Sequence, residues 1–444
     1  MELLSLLSGI ENFIIKNIKE YILKTLKFMK NNTYVMQIMT LMSGTLIAQV
    51  IMLLSIPVLT RLYTPTEFGL YSAFFAIVTI VGSVSSFKYD QAIMLPKSNK
   101  DAQALLFLSI ILTSSITLLS ILVVFVFYDF ILDYFSGNSF IIFFIPIGIF
   151  LIGMMQIFNA YSSRNQFYKT LSKVRVLNAF SVVSIQGFVR YVMSLDGLII
   201  GKLVADFISL FTLVRFHIKK QTLQLSSLSK RKIKIVLKKH DQFPKYQTLT
   251  VFMNSISQNI PILLLSSLYS PEIAGFYALT VRVLQAPIGL IGSSTREVYY
   301  QRASKMHANG ENFFNLYFKT TLGLLKLFII PLIIIFFFGE YIFSFVFGEI
   351  WIEAGIYAQV LIFWFLFLFI NSPSIMTFSI LKLQKVQMQM EIISVILRFS
   401  SIYLGFYLFN SEMISIWLFT LTSIFVNIFV ITYIYIKLKK GILK

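Results

Sequence analysis

The sequence predicts an all-α integral membrane protein, with twelve transmembrane helices arranged as two parallel six-helix lobes around a central cavity. Three observations support this fold class: the composition, the number and length of the apolar segments, and a motif that occurs twice. Of the 444 residues, 57% are hydrophobic and only 13% are charged, and the mean hydropathy is +0.80. Soluble domains carry about 25% charged residues, so the composition places this chain in the membrane class.

The apolar segments match the length that a membrane requires. A helix needs about 20 mostly apolar residues to cross a bilayer. Six such segments precede a basic stretch near the middle of the chain and six follow it, at residues 35–60, 70–87, 104–127, 139–162, 174–192, 197–216, 247–268, 274–297, 319–339, 355–378, 391–409 and 413–436.

The lysine and arginine residues set the expected orientation. Cytoplasmic loops of membrane proteins carry an excess of these residues. If the N-terminus is cytoplasmic, all but six of the 38 basic residues fall in cytoplasmic segments. We therefore expect both termini in the cytoplasm. The net charge of +19 then faces the anionic lipids of the inner leaflet, so membrane lipids are an expected partner and nucleic acid is not.

The same assignment divides the chain into two lobes. We predict an N-terminal lobe over residues 35–218, a basic cytoplasmic linker over 219–246, a C-terminal lobe over 247–436 and a basic cytoplasmic tail at 437–444. Residues 1–34 show the spacing of an amphipathic helix lying in the membrane interface. This segment either anchors the protein or contacts a partner, or it is a basic leader that only fixes the topology.

The motif that occurs twice lies in "RLYTPTEFGLYSAFF" at 61–75 and "SLYSPEIAGFYALTV" at 267–281. An offset of 206 residues, without a gap, matches Leu, Tyr, Pro, Gly and Tyr in both copies and Thr with Ser. Each copy follows the first helix of its half on the outer face, where Pro and Gly suit a tight turn and Tyr suits the membrane interface. Because each half has an even number of helices, the halves are parallel repeats, which is typical of transporters that rock about a central cavity.

A second outer segment is rich in aromatic and acidic residues. It reads "FSFVFGEIWIEAG" at 343–355. Aromatic side chains are enriched at the level of the lipid headgroups, so this segment is predicted to be an interface anchor.

Four stretches of the sequence carry a family resemblance. They are "IPVLTRLYTPTEFGLYSAF" at 56–74, "KYDQAIMLPKSNKDA" at 88–102, "FPKY" at 243–246 and "NSISQNIPILLLSSLYSPEIAGFYALTVRVLQAPIGLIGSSTREVYYQRAS" at 254–304. Together they closely resemble the O-antigen flippases (Wzx-type) of the multidrug/oligosaccharidyl-lipid/polysaccharide exporter (MOP) superfamily. By helix order the likeness covers roughly residues 35–436.

The resemblance implies a function that composition does not reveal. The substrate would be an undecaprenyl-pyrophosphate-linked oligosaccharide, such as an O-antigen repeat unit used in lipopolysaccharide biosynthesis. The protein would move it from the cytoplasmic to the periplasmic leaflet of the bacterial inner membrane by alternating access. It would be a transporter and not an enzyme, and other polysaccharide-assembly membrane proteins are candidate partners.

Two other functions stay open. A small-molecule or drug antiporter of the MATE type would share this fold, but it would need intramembrane acids, and here basic residues outnumber them. A membrane polysaccharide polymerase or ligase would be expected to carry a sizeable outer loop with catalytic residues, and no predicted outer loop is that large.

Residue types exclude several kinds of site. The chain has no cysteine, which excludes disulfides, thiolate zinc sites and cysteine nucleophiles. The three histidines, His217, His240 and His307, are far apart and near charged loops, so we expect them to be solvated. We therefore predict no catalytic residues, no metal site and no cofactor.

Basic residues inside the predicted spans are the candidate substrate-binding groups. A charge at the bilayer centre costs roughly 2.5–3.5 kcal/mol on insertion scales, so such residues usually face a wet interior. Arginine can also bind a phosphate in a bidentate manner. The predicted cavity cations are Arg282, Arg398, Lys326, Lys202 and Arg61. For Arg282 and Arg398 the alternative is that the side chain extends to the membrane interface, and for Lys326 that it reaches the cytoplasmic surface. Arg61 either extends to the interface or packs at the turn. Arg190, at a helix end, is expected to extend to the interface.

One acidic residue and four amides complete the predicted site. Asp206 lies four residues after Lys202 on the sixth helix. The two either neutralise each other as a structural pair, or Asp206 couples the movement of H+ or Na+ to transport. The amides predicted to line the cavity are Gln49, Asn254, Gln258 and Asn259, with interhelical hydrogen bonding as the alternative.

Overall fold

The regular secondary structure of the described residues is entirely helical. The computed structural model describes residues 33–192, 197–223 and 230–440. Within these ranges twelve long helices are numbered α1 Thr33–Leu62, α2 Pro65–Gly82, α3 Asn99–Val126, α4 Ser139–Arg164, α5 Tyr168–Val192, α6 Gly197–Lys219, α7 Thr248–Leu268, α8 Pro271–Ala308, α9 Phe314–Phe347, α10 Ile352–Ile370, α11 Gln384–Phe409 and α12 Glu412–Lys440. The predicted interfacial helix lies, except for its last two residues, outside the described part of the chain.

Ten stretches of the described chain are long and apolar enough to cross a membrane. The chain is therefore a multi-pass membrane protein. Helices α5 and α8 are not among these ten. A helix occupies each of the twelve predicted positions, but twelve membrane crossings stay a prediction.

The repeated motif forms the start of α2 and of α8. The side chain of Thr64 accepts a hydrogen bond from the backbone N–H of Glu67, and the Glu67 carboxylate accepts one from the N–H of Thr64 at 2.7 Å. Ser270 caps α8 in the same way, through the N–H of Ile273 at 3.2 Å. In both copies proline occupies the first helical turn, where its missing N–H is not needed. The predicted start of the second span at residue 70 is therefore wrong by five residues.

The glycines of the motif join the two halves of the molecule. A Cβ placed on Gly69 would lie 1.6 Å from the carbonyl oxygen of Pro271, and one on Gly275 would lie 1.9 Å from that of Pro65. The backbones of α2 and α8 thus touch each other reciprocally, at a distance that only glycine permits. The prediction that these glycines form a tight turn is wrong, because both lie inside helices. We call this end of the molecule, marked by residues 62–65 and 268–271, the turn end.

Trp351 also packs between the halves at the turn end. Its side chain is fully buried, and its indole N–H donates to the carbonyl oxygen of Thr60 at 3.0 Å. The ring meets that of Phe68 edge-on, with the centroids 5.1 Å apart. The prediction that residues 343–355 are an interface anchor is wrong for this tryptophan, because its polar N–H is satisfied inside the protein.

An ion pair links α5 to α2 at the turn end. Arg190 lies 2.7 Å from the buried carboxylate of Glu67 and over the ring of Tyr63 at 5.1 Å. The expectation that Arg190 simply reaches the interface is therefore wrong, because this partner holds it. The Tyr63 hydroxyl donates to the carbonyl oxygen of Gln186 at 2.6 Å. Burial raises the pKa of Tyr63 to about 12, which keeps this donor protonated.

The three histidines have different environments. His217 is fully buried, and its ring nitrogens lie 2.7 Å from Ser162 Oγ and 2.8 Å from Thr222 Oγ1. The prediction of a solvated loop is wrong for His217, because it lies in the last turn of α6, where these two hydroxyls satisfy it. His307 is exposed and His240 half-buried. In the described ranges no group of three or more His, Cys, Asp or Glu residues could hold a metal ion.

Candidate functional site

A cavity of about 980 Å³ lies between the two halves of the molecule. Helices α1, α2, α4, α5 and α6 line it on one side, and α7 and α8 on the other. On α2 the lining starts at Tyr71, six residues after Pro65, which is about 9 Å of helix at ~1.5 Å per residue. The contacts at the turn end therefore close the cavity on that side.

Three basic side chains and one carboxylate line this cavity. Arg175, Lys202 and Asp206 come from the N-terminal half, and Arg282 comes from α8 in the C-terminal half. Lys202 forms an ion pair with Asp206, and Arg175 donates to Thr45 Oγ1. Across the part of the chain that the structure describes, no carboxylate forms an ion pair with Arg175 or Arg282. The cavity thus has two positive charges in excess.

Asp206 sits in a small polar network at the wall of the cavity. Its Oδ1 accepts from the amide of Asn178 at 2.8 Å and from the ammonium group of Lys202. The same amide lies 2.9 Å from Ser209 Oγ, and Lys202 lies over the ring of Phe75, 6.0 Å from its centroid. The carboxylate is therefore largely buried, and its Oδ1 is engaged by one neutral and one positive donor. This geometry is compatible with a structural pair and with a coupling carboxylate, so a coupling role stays a prediction.

The structure brings five of the ten predicted site residues into one cavity. These are Gln49, Lys202, Asp206, Asn259 and Arg282. Their role in substrate binding stays a prediction, but their convergence from four helices is a property of the fold.

The other five lie elsewhere. Arg61 is exposed at the turn end of α1, and Lys326 is exposed on the surface of α9. Asn254 and Gln258 lie one turn apart on α7 and hydrogen-bond to each other at 2.8 Å. Arg398 is buried inside the C-terminal half, where it donates to Ser257 Oγ at 2.6 Å. The expectation that Arg61, Lys326 and Arg398 line the central cavity is wrong, because they lie at the turn end, on an exposed surface and inside the C-terminal half. Asn254 and Gln258 are not among the residues that line it, and their role stays a prediction.

Several polar residues of the cavity are not predicted from the sequence. The most important is Arg175, which was assigned to a cytoplasmic loop because the predicted span began at residue 174. Helix α5 in fact begins at Tyr168, so Arg175 and Asn178 lie two and three turns inside it. Their i, i+3 spacing, repeated by Arg282 and Gln285 on α8, was the available signal. The other missed amides are Gln156 and Asn159.

Comparison with known proteins identifies the family. A family model described as "Polysaccharide biosynthesis protein" matches residues 58–356, more than half of the chain. The chain belongs to this polysaccharide biosynthesis family. None of the curated proteins matches the sequence.

Solved structures with the same fold include transporters and a flippase. The lipid II flippase MurJ, in an inward closed conformation, superimposes with a TM-score of 0.71 at 14% identity, over 90% of this chain and 89% of that one. An inward-facing multidrug resistance MATE family transporter of the MOP superfamily gives 0.65 at 11% identity, over 90% and 95%. A MOP superfamily transporter from Pyrococcus furiosus, described as having a binding pocket of reverse polarity, gives 0.62 at 13%, over 91% and 96%.

These identities are low enough that the structural matches speak to the fold alone. Together with the family model, they confirm the resemblance to MOP-type polysaccharide flippases. Family and fold support a flippase or transporter of the polysaccharide biosynthesis family.

Proposed function

We propose that this protein flips an undecaprenyl-pyrophosphate-linked oligosaccharide, of the O-antigen repeat-unit type, across the bacterial inner membrane. It would move the headgroup from the cytoplasmic to the periplasmic leaflet by alternating access, with the turn end facing the periplasm and both termini in the cytoplasm. The observation that carries the proposal is the pair of arginines without carboxylate partners, Arg175 and Arg282, which face one cavity from opposite halves of the molecule.

A diphosphate is the chemical group that best fits these two arginines. Moving it out of water removes its hydration, and fixed guanidinium groups replace that hydration with charge-assisted hydrogen bonds. In a site with a low dielectric constant such attraction is much stronger than in water. Since one arginine belongs to each half, an anion between them favours conformations in which both halves approach it. Binding is thereby linked to the rocking of the halves.

The other polar residues that line the cavity suit the oligosaccharide part of the proposed substrate. A cavity of about 980 Å³ lies at the upper end of the usual range for ligand sites, which is roughly 300–1,000 Å³. Its amides and hydroxyls can donate and accept hydrogen bonds at once, as sugar hydroxyl groups require. They include Gln49, Gln156, Asn159, Asn259 and Gln285.

A small-molecule antiporter is the second candidate function. The buried carboxylate of Asp206 favours it, since a titratable acid inside the membrane can couple H+ or Na+ movement to transport. The excess of positive charge in the cavity disfavours a cationic drug as its substrate. In the flippase, Asp206 would serve the same coupling role, with no resident cofactor.

The test is to remove each arginine and follow the lipid-linked intermediates. We expect Arg175→Gln and Arg282→Gln each to lower export about 10- to 150-fold, since hydrogen bonds to charged groups contribute about 1.5–3 kcal/mol. Complete repeat units should then accumulate in the cytoplasmic leaflet, measured by fractionation and accessibility of the lipid-linked sugar. Lys326→Gln, which removes an exposed cation on α9, is the matched control and should export normally.

Two outcomes would contradict the proposal. Export at the wild-type level in the Arg175→Gln/Arg282→Gln double variant would show that these two arginines do not form the anion-binding site. Normal export together with altered drug sensitivity would favour the antiporter instead.

A further inference from the structure

Arg398 is a buried cation that the proposed transport site does not use. It lies on α11 and is 8% exposed. Its Nη1 donates to Ser257 Oγ on α7, and its guanidinium carbon lies 5.7 Å from the ring centre of Trp364 and 5.9 Å from that of Phe419. Three neighbouring helices, α7, α10 and α12, therefore enclose it inside the C-terminal half.

The charge of Arg398 has no partner carboxylate at bonding distance. The carboxylate of Glu391, which lies seven residues or about two turns earlier on the same face of α11, acts on this charge from beyond ion-pair distance. Among the described residues Arg398 forms no ion pair. A single charge removed from water in this way is destabilising by several kcal/mol unless another group compensates it.

Several buried hydrogen-bond donors on α11 and on the neighbouring helices α10 and α12 are also without partners. Five buried atoms on α10, α11 and α12 have no hydrogen-bond partner among the described protein atoms: Arg398 Nε, Trp364 Nε1, Ser394 Oγ, Thr420 Oγ1 and Ser423 Oγ. Ser394 lies one turn from Arg398 on α11, and Thr420 and Ser423 lie one and four residues after Phe419, whose ring packs on the guanidinium, on α12. All five groups can donate a hydrogen bond, and none carries a negative charge.

We propose that a small monovalent anion of the chloride class binds beside Arg398 in the interior of the C-terminal half. Unpartnered donors on α11, which carries this buried cation, and on α10 and α12, which pack against it, form the chemistry that recognises an anion, and an anion would both compensate the charge and satisfy the donors. Two aromatic rings within about 6 Å of the guanidinium make the site suited to a single-atom halide and not to a sugar diphosphate. The bound ion would join α10, α11 and α12, so that this half moves as one rigid unit.

The test measures halide-dependent stability in the full-length purified protein. In lipid nanodiscs at constant ionic strength, replacing gluconate by chloride should raise Tm with a saturable dependence on concentration, and bromide should act similarly. Thr420→Val keeps the guanidinium and removes one donor, so it should raise the half-saturating chloride concentration about tenfold. Arg398→Gln should abolish the dependence. Lys326→Gln, the control cation on α9, should keep it.

The readout is independent of transport, so it can fail or succeed separately from the proposed flippase activity. If Arg398→Gln does not fold, Ser394→Ala and Thr420→Val still report on the site. Equal Tm values in chloride and gluconate for the wild type would overturn the proposal and indicate that water satisfies the orphaned donors. A stabilisation seen with pyrophosphate but not with halides would overturn it as well, and so would a chloride dependence that Thr420→Val and Arg398→Gln leave unchanged.

Discussion

Adding one methyl group to Gly69 should open the molecule at the turn end. The Cβ of Gly69→Ala would lie 1.6 Å from the carbonyl oxygen of Pro271, whereas real Cβ contacts do not fall below 3.0 Å. Because the obstacle is backbone and not a flexible side chain, α2 and α8 must separate by about 1.4 Å. Overpacking of this kind costs typically about 1–3 kcal/mol. If the cost falls only on the closed arrangement, the conformational equilibrium shifts about 5- to 150-fold toward states that are open at the turn end.

The absence of cysteine from the chain makes a labelling assay direct. A single cysteine at Ser72, which lines the cavity on α2, reports access from the turn end to a membrane-impermeant maleimide. In spheroplasts, where we propose that this end is outside, Gly69→Ala should increase the labelling rate about 5- to 150-fold. Gly187→Ala is the matched control, since a Cβ at Gly187 meets nothing within 4 Å, and it should label as slowly as the parent.

Equal labelling rates for Gly69→Ala and Gly187→Ala, with both variants inserted and folded normally, would show that the α2–α8 contact does not hold this end closed. Gly275 makes the reciprocal contact with Pro65, so a change in labelling rate of opposite direction in Gly275→Ala would show the same. Agreement between the two variants would show that the helix contact, and not a local distortion of α2, holds this end closed.

Three further variants test other contacts. Trp351→Phe removes the hydrogen bond to Thr60, which costs about 1 kcal/mol. The labelling rate of the cysteine at position 72 from the turn end should therefore rise about fivefold. An unchanged rate would show that this hydrogen bond does not help to close the turn end. Arg190→Gln leaves the buried Glu67 carboxylate without its ion-pair partner, which costs about 3–5 kcal/mol, so Tm should fall. The double variant Arg190→Gln/Glu67→Gln should recover most of this loss. If Tm falls equally in the single and the double variant, the two residues are not energetically coupled. Asp206→Asn should abolish the dependence of transport on a proton or sodium gradient in proteoliposomes, and a retained dependence would leave only a structural pair with Lys202.

The positions of the helices were predictable because the membrane imposes a strong requirement. In hydrocarbon every backbone polar group must be satisfied within the segment, so a long apolar run is a helix with few alternatives. The errors occur at the ends. Helix α2 begins at Pro65 and not at residue 70, because the Thr64 cap and the Glu67 carboxylate start the helix within the polar turn.

The facing of the polar residues was only partly predictable. Depth along a helix follows from counting residues, and it predicted that both Arg282 and Arg398 lie well inside a membrane-spanning segment. Direction around the helix did not follow, because lipid and protein interior are similarly apolar and no strong amphipathic pattern marks the inner face. Arg282 consequently lines the central cavity, while Arg398 points into the C-terminal half. For Arg175 the difficulty was different, since basic residues at the start of α5 made the helix look like a loop.

The reciprocal contact between α2 and α8 has the form of an interface between two identical subunits. Each copy of the motif contains both partners of the contact. Its glycine packs against the proline carbonyl oxygen of the other copy, and its own proline carbonyl oxygen packs against the other glycine. A surface in which residue i meets j while j meets i is the self-complementary interface of a symmetric homodimer. One six-helix unit therefore carries everything that the contact needs, and two separate copies of such a unit could pair through it. The linker that joins the halves is not required for the pairing itself. Within a single polypeptide the two halves thus meet at this contact as the subunits of a symmetric homodimer do.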